Sequence, residues 1–235
     1  MHSKRDQWKA AFYYEDQIKA LDGIGEYRYG NDIRRYEQAV AKTDKIRSGE
    51  HFHRLHSELF PNKFQYVQAM NKAGICVGMV ASRLDDIGDW NLPRFYQERV
   101  RRVVEARGGN EQFAELADDT CQYAVDLTGR IAYMGEGFVH PDWRHRGLST
   151  LMVRNLMLVC WADWDPAVIH GWMRHKHADT GMAFKWGFTD CYESGMSWKT
   201  EPADPTWKDT CFVANRQAGI DHLISNALTA CRRLA

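Results

Sequence analysis

The sequence predicts an α/β (α+β) chain in which the strands of a central sheet are flanked by helices. Three observations carry this. Phe64-Gln-Tyr-Val-Gln-Ala-Met70 and Ile75-Cys-Val-Gly-Met-Val-Ala81 are apolar, β-leaning runs joined by the short turn Asn71-Lys-Ala-Gly74, which is a hairpin signature. Phe138 to Ser149 reads as a strand that passes through a basic, glycine-containing turn into an apolar helix. Val168-Ile-His-Gly-Trp172 followed by Ala178 to Trp186 again gives a strand and then a helix.

Taken in order, residues 1–60 place apolar groups at helical spacing, for example Trp8, Phe12, Ile18 and Leu21, then Ile33, Tyr36 and Val40. Two or three amphipathic helices are expected there, a helical N-terminal extension with turn or cap points at Leu21-Asp-Gly-Ile-Gly25 and Gly30-Asn31-Asp32. The hairpin of residues 64–81 then supplies the first two strands. Residues 84–119 read as a helical insertion, opening with Asp85-Asp-Ile-Gly-Asp-Trp90 and continuing as a helix from Pro93 to Ala106. Its Arg94, Arg99, Arg101, Arg102 and Arg107, with Glu98 and Glu105, read as a solvated charged face. Thr120 to Asp126, the turn Leu127 to Arg130, and Ile131 to Val139 form a second expected hairpin. Leu148 to Trp161 is a long apolar helix. Beyond Phe188 come Gly195 to Lys199, a break at Pro202 and Pro205, the run Thr210 to Val213, and a closing helix from about Asn215 to Leu234. Repeats, low-complexity stretches and linkers are absent, so 1–235 reads as a single domain.

Composition narrows the function. Lys plus Arg and Asp plus Glu are balanced at 31 each, leaving no global field for polyphosphate backbones or an anionic membrane, so nucleic-acid binding is not expected. No run reaches the ~18 apolar residues of a membrane span, because Leu148 to Ala162 is interrupted by Arg154 and Asn155. The start Met-His-Ser-Lys-Arg-Asp-Gln-Trp has no signal-peptide apolar core, which leads to the expectation of a cytoplasmic protein. Six widely spaced cysteines without a CxxC pair read as reduced and mostly buried, with Cys191 the one near the candidate chemistry. The clusters His51, His53, His56 and His175, His177 lack partnered cysteines or acidic spacing, so no metal is expected.

The run Phe138-Val-His-Pro-Asp-Trp-Arg-His-Arg-Gly-Leu-Ser149 suits an anion. A helix start leaves its first N–H groups without partners and carries about half a positive charge from aligned peptide dipoles. Arg144 and Arg146 add full charge, Gly147 admits close backbone approach, and Ser149 caps or donates from the first turn. Arg144-His145-Arg146-Gly147-Leu148-Ser149 resembles the R/Q-x-x-G-x-G/A cofactor motif of the GCN5-related N-acetyltransferase (GNAT) superfamily, with Ser at the last position. Ile131 to Val139 upstream is similar to that family's central strand, and Gly187-Phe188 downstream to its second cofactor motif. The likeness covers about sixty residues, Tyr133 to Tyr192, with residues 131–190 as the acetyl-CoA-binding core.

That resemblance implies a mixed, mostly antiparallel sheet with splayed central strands and acetyl transfer from acetyl-CoA to a primary amine by direct attack. Phe138 and Val139 would pair with pantetheine and hold the oxyanion, His175 and Lys176 would touch phosphate, and Gly135-Glu136-Gly137 would bulge the strand and present Glu136 as general base. Glu136 on a solvent-facing strand surface is the alternative. Many members carry Tyr where this chain has Ala183, so Tyr192 becomes the candidate acid. An acidic, aromatic loop of Asp85, Asp86, Asp89 and Trp90 is the candidate contact for a small-molecule or peptide amine. Because the family tyrosine is absent, a non-catalytic CoA-binding module with a regulatory or interaction role stays open, as do a longer acyl donor and a homodimer.

Overall fold

A computed structural model describes residues 2–45, 50–52, 59–106, 114–202 and 205–234. Its centre is a seven-stranded sheet of β1 (Ile24–Gly30), β2 (Phe64–Asn71), β3 (Cys76–Asp86), β5 (Arg130–Val139), β6 (Val168–Met173), β7 (Asp190–Tyr192) and β9 (Cys211–Asn215), in the order β1-β2-β3-β5-β6-β9-β7. β4 (Glu115–Leu116) and β8 (Trp198–Thr200) form a separate small ladder. Every pairing is antiparallel except β5 with β6. Among the described residues seven helices accompany the strands: α1 (Lys4–Lys19), α2 (Ile33–Val40), α3 (Leu92–Ala106), α4 (Leu148–Trp164), α5 (His175–Ala178), α6 (Met182–Trp186) and α7 (Gln217–Leu234).

Residues 1–60 depart from the expected helical extension. β1 lies between α1 and α2 as an edge strand paired with β2, so the hairpin of residues 64–86 supplies the second and third strands of the sheet. Glu-Tyr-Arg-Tyr hides β1 because an edge strand needs only one buried side: Ile24 and Tyr27 go in while Glu26 and Arg28 stay out. α1 buries Gln7, Ala10, Ala11, Tyr14 and Ile18, whereas Phe12 is exposed. Its small Ala10 and Ala11 let it lie closely along α4. Buried Asn155 on α4 ties these parts together, accepting from the Tyr27 hydroxyl at 2.7 Å and donating to the Ala11 carbonyl at 2.9 Å. Asp32 caps α2 by accepting from the Arg34 and Arg35 amides, and Ile33, Tyr36 and Val40 are buried as their spacing predicts.

Two further elements differ. Residues 120–126 form turns and a short 3-10 segment, Gln122–Ala124, with Cys121 in the left-handed region. The start of β5, where such a hairpin would pair, has no edge to offer them, since β3 and β6 flank Ile131, Ala132 and Tyr133. The run Ala178 to Trp186 is two short helices, α5 and α6, broken by Gly181 at φ +70°. α3 and α4 match their expected spans.

α4 crosses from β5 to β6 on one face of the sheet. It buries 12 of its 17 residues, because the sheet lies on one side of it and α1 and α7 on the other. The opposite face holds Phe64, Tyr66, Met79, Ala81 and Tyr133 beneath α2, and Ile131, Val168, Phe212 and Ala214 beneath α3. All six cysteines are free. Among the described residues no helix is long and apolar enough to cross a membrane.

Candidate functional site

The parallel pairing of β5 with β6 lasts three residues: Ile131 with Val168, Ala132 with Ile169, and Tyr133 with His170. Gly171 makes the last close approach, for a Cβ there would stand 2.6 Å from the Met134 carbonyl oxygen. Beyond this point the strands splay. Gly135 to Val139 pair only with β3, and Trp172 and Met173 only with β9. Among the described residues the β6-facing edge of β5 is therefore unpaired, and unmade backbone hydrogen bonds on a central strand invite an extended ligand with amides of its own.

On its other edge β5 carries a β-bulge. Met79 pairs with Phe138 and Ala81 with Gly135, so two residues of β3 span three of β5. Glu136 takes up the extra length at φ +62°, a left-handed conformation that costs a non-glycine residue roughly 1 kcal/mol. The bulge breaks strict alternation and sends the Glu136 side chain to the α2 face, where it is 8% exposed, not to solvent. There it accepts from the Tyr36 hydroxyl at 3.2 Å and pairs with Lys45 Nζ at 3.0 Å. Burial, with the Glu136 carboxylate next, raises the Tyr36 phenol well above its usual value.

The end of β5 leads through residues 140–147 into α4. Gly147 is the N-cap at φ +77°, where its freedom from a Cβ is needed, and no side chain caps the helix. The expected cap by Ser149 is not made, since Ser149 already lies inside the first turn. The first N–H groups of α4 are thus left for a ligand. Arg144, His145, Arg146 and Gly147 are exposed, and Leu148 is buried. Arg146 stacks on Trp143 at 4.8 Å, and His145 adopts φ +65°, so the turn is held in a fixed, strained shape.

The other expected site residues are distributed unevenly. Lys176 is exposed on α5, just past the end of β6 and on the rim of the splay. Neighbouring His175 is occupied with Asp209 at 2.8 Å and the Glu193 carbonyl at 2.7 Å, and the Asp209 bond raises its pKa. Tyr192 lies three strands from β5, at least about 14 Å across the sheet, and stacks on Tyr123 at 4.3 Å. Packing on Tyr123 explains it better than proton transfer does. Asp86 pairs with Arg130 at the far end of β5, about 30 Å along the strand from Val139, and exposed Asp89 and half-buried Trp90 follow it. Asp85 binds Arg83 at 2.9 Å. The acidic loop therefore does not reach the splay. His53, His56 and Arg107 lie outside the described residues.

Several residues that sequence reasoning missed do gather there. Tyr133 lies at the start of the splay: a Cβ on Gly135 would stand 3.1 Å from its hydroxyl. Burial raises its pKa, so it keeps its proton at neutral pH. The Arg83 guanidinium, fully buried, lies 4.6 Å over its ring. Arg99, expected on a solvated face, is buried instead, and with Arg83 donates to the His51 carbonyl. Burial, and then the charge of Arg83, lowers Arg99 to about 10. His170 holds Tyr96 at 2.7 Å and is pushed down to about 3 by burial. Beside the splay, the indole N–H groups of Trp172 and Trp186 are buried without partners among the described residues, and Trp186 comes 3.8 Å from the Cβ position of Gly137.

No family model matches this sequence, and no curated protein does. Among solved structures the fold is similar to Arabidopsis thaliana NAA60 in complex with acetyl-CoA, at 11% identity over 81% of this chain and 98% of that one, with a TM-score of 0.44. It is likewise similar to Drosophila melanogaster polyamine N-acetyltransferase, at 13% identity over 81% and 100% of the two chains, with a TM-score of 0.46. An agmatine N-acetyltransferase mutant gives 13% identity over 82% and 100%, also with a TM-score of 0.46. These likenesses are too distant to carry a function across.

Proposed function

We propose that this chain is a GNAT-type acyltransferase that moves an acetyl group from acetyl-CoA to a primary amine by direct attack. One observation carries the proposal: among the described residues the β6-facing edge of β5 is unpaired from the bulge at Glu136 to Val139, and residues 140–147 lead directly from it to the start of α4, which no side chain caps. An elongated co-substrate with amides along its length and a pyrophosphate at one end fits such a track. Phe138 and Val139 would take its amides, and the N–H groups at Gly147, Leu148 and Ser149, with Arg144, His145, Arg146 and Lys176 around them, its phosphates. The N–H groups of Trp172 and Trp186, without partners among the described residues, suit a ligand rich in carbonyls.

For the chemistry, Glu136 accepts the proton of the incoming ammonium and holds it by charge. A backbone N–H on the open edge of β5 stabilises the oxyanion as the amine adds to the thioester carbon. The C–S bond then breaks, the electron pair passes to sulfur, and Tyr133, in place of the Tyr192 expected from sequence, is the proton donor. Arg83 over its ring stabilises the phenolate until it regains a proton.

The test is CoA release from acetyl-CoA in the presence of a panel of primary amines. Amine-dependent release is expected, and its absence across the panel overturns the proposal in favour of a binding module. Glu136→Gln should lower turnover about 10²-fold with acetyl-CoA affinity unchanged. Gly147→Asp should weaken acetyl-CoA at least about tenfold by calorimetry. The aspartate side chain enters open space, so its effect combines the charge placed beside the phosphates with the strain of a left-handed backbone.

A further inference from the structure

Glu136 is already paired with a primary amine of its own chain. Lys45 Nζ lies 3.0 Å from Glu136 Oε2, and its side chain is only 23% exposed. The Tyr36 hydroxyl also donates to the carboxylate. The pair forms at the bulge where β5 turns its unpaired edge to the splay, on the face opposite α4. A partly buried ion pair adds little to stability once desolvation is counted, so a strained glutamate and a lysine drawn in beside it are poorly explained by stability alone. If Glu136 accepts a proton from an attacking ammonium, Lys45 occupies the position of that ammonium.

We propose that Lys45 is a self-acetylation site and that its unbranched alkylammonium chain represents the class of external acceptor, an inference that rests on the acetyltransferase function proposed above. The Lys45 ammonium gives a proton to Glu136, and the neutral Nζ forms a bond to the thioester carbon. The C–S bond breaks with its electron pair going to sulfur. CoA leaves as the thiol, the amide nitrogen loses its second proton, and the net products are acetyl-Lys45, CoA and one proton. Acetyl-Lys45 carries no charge and no longer pairs with Glu136.

Incubation of the full chain with acetyl-CoA alone, followed by peptide mass spectrometry, tests this. Lys199 is the internal control: it makes the same kind of contact, 3.0 Å to Glu115, but on the surface ladder of β4 and β8 and at 64% exposure. Adventitious acetylation favours Lys199. Self-acetylation predicts Lys45 modified at least tenfold faster than Lys199, with a first-order rate constant independent of protein concentration. Glu136→Gln should slow Lys45 and leave Lys199 unchanged, and Lys45→Arg, which keeps the ion pair, should abolish the signal at position 45. Lys45 no faster than Lys199 in protein that still acetylates free amines overturns the inference alone, as does a rate constant that rises with protein concentration. Failure of both Lys45 and every free amine to react overturns the function as well.

Discussion

On the face covered by α1, α4 and α7 the sheet packs against Ala10, Ala11, Leu156, Met157 and Ile224, and buried polar side chains there, Gln7 and Asn155 among them, are neutral. On the face beneath α2 and α3 it packs against Arg83, Arg99 and His170, with Glu136 and Lys45 at the edge. The first face buries surface that water rejects, and it fixes where α4 begins. The second buries charge at a cost that apolar packing would avoid. The almost fully buried arginines, Arg83 and Arg99, lie on that face, where the molecule trades stability for chemistry.

Breaking the polar face should have the largest effect. Arg83→Ala strands Asp85 and removes the stack on Tyr133, and should cost about 3–5 kcal/mol in denaturant unfolding together with a loss of turnover. Equal turnover per folded molecule would separate Arg83 from the site. Leu156→Ala on the apolar face is the counterpart, expected to cost about 2–5 kcal/mol while turnover per folded molecule holds. A fall in that turnover would show that the two faces are not separable.

Acid should reveal the same asymmetry on a smaller scale. His170 is held down at about 3 against an ordinary 6.5, so between those values the unfolded chain takes up a proton that the folded one refuses. The stability it contributes is complete above pH 6.5 and is lost as pH falls towards 3, by at most about 1.4 kcal/mol per pH unit. Unfolding free energies measured across that window should decline in the wild type and flatten in His170→Asn. Parallel slopes would remove His170 as the cause.

How much of this was legible in the sequence follows from how local each feature is. The turn from Phe138 to Ser149 is contiguous, and its strand, glycine and helix are written side by side. The bulge was legible too, because two glycines bracket Glu136. β1 was not, since its single buried side carries too few apolar residues to show a period. Tyr192 was expected to act as acid and Asp86 to meet the amine, yet the sheet order sets the first three strands away and the register sets the second at the far end of β5.

The sequence by itself determined the α/β class, the α4 crossover, the strained strand and the anion-suited helix start, all of which depend on neighbours within about a dozen residues. Only the tertiary structure decided what surrounds Glu136 and Tyr133. Tyr36, Lys45, Arg83, Arg99 and His170 come from separate segments and meet through β-sheet register and the packing of α2 and α3. Pairing of that kind depends on long-range contacts whose partners leave no periodic trace in either segment.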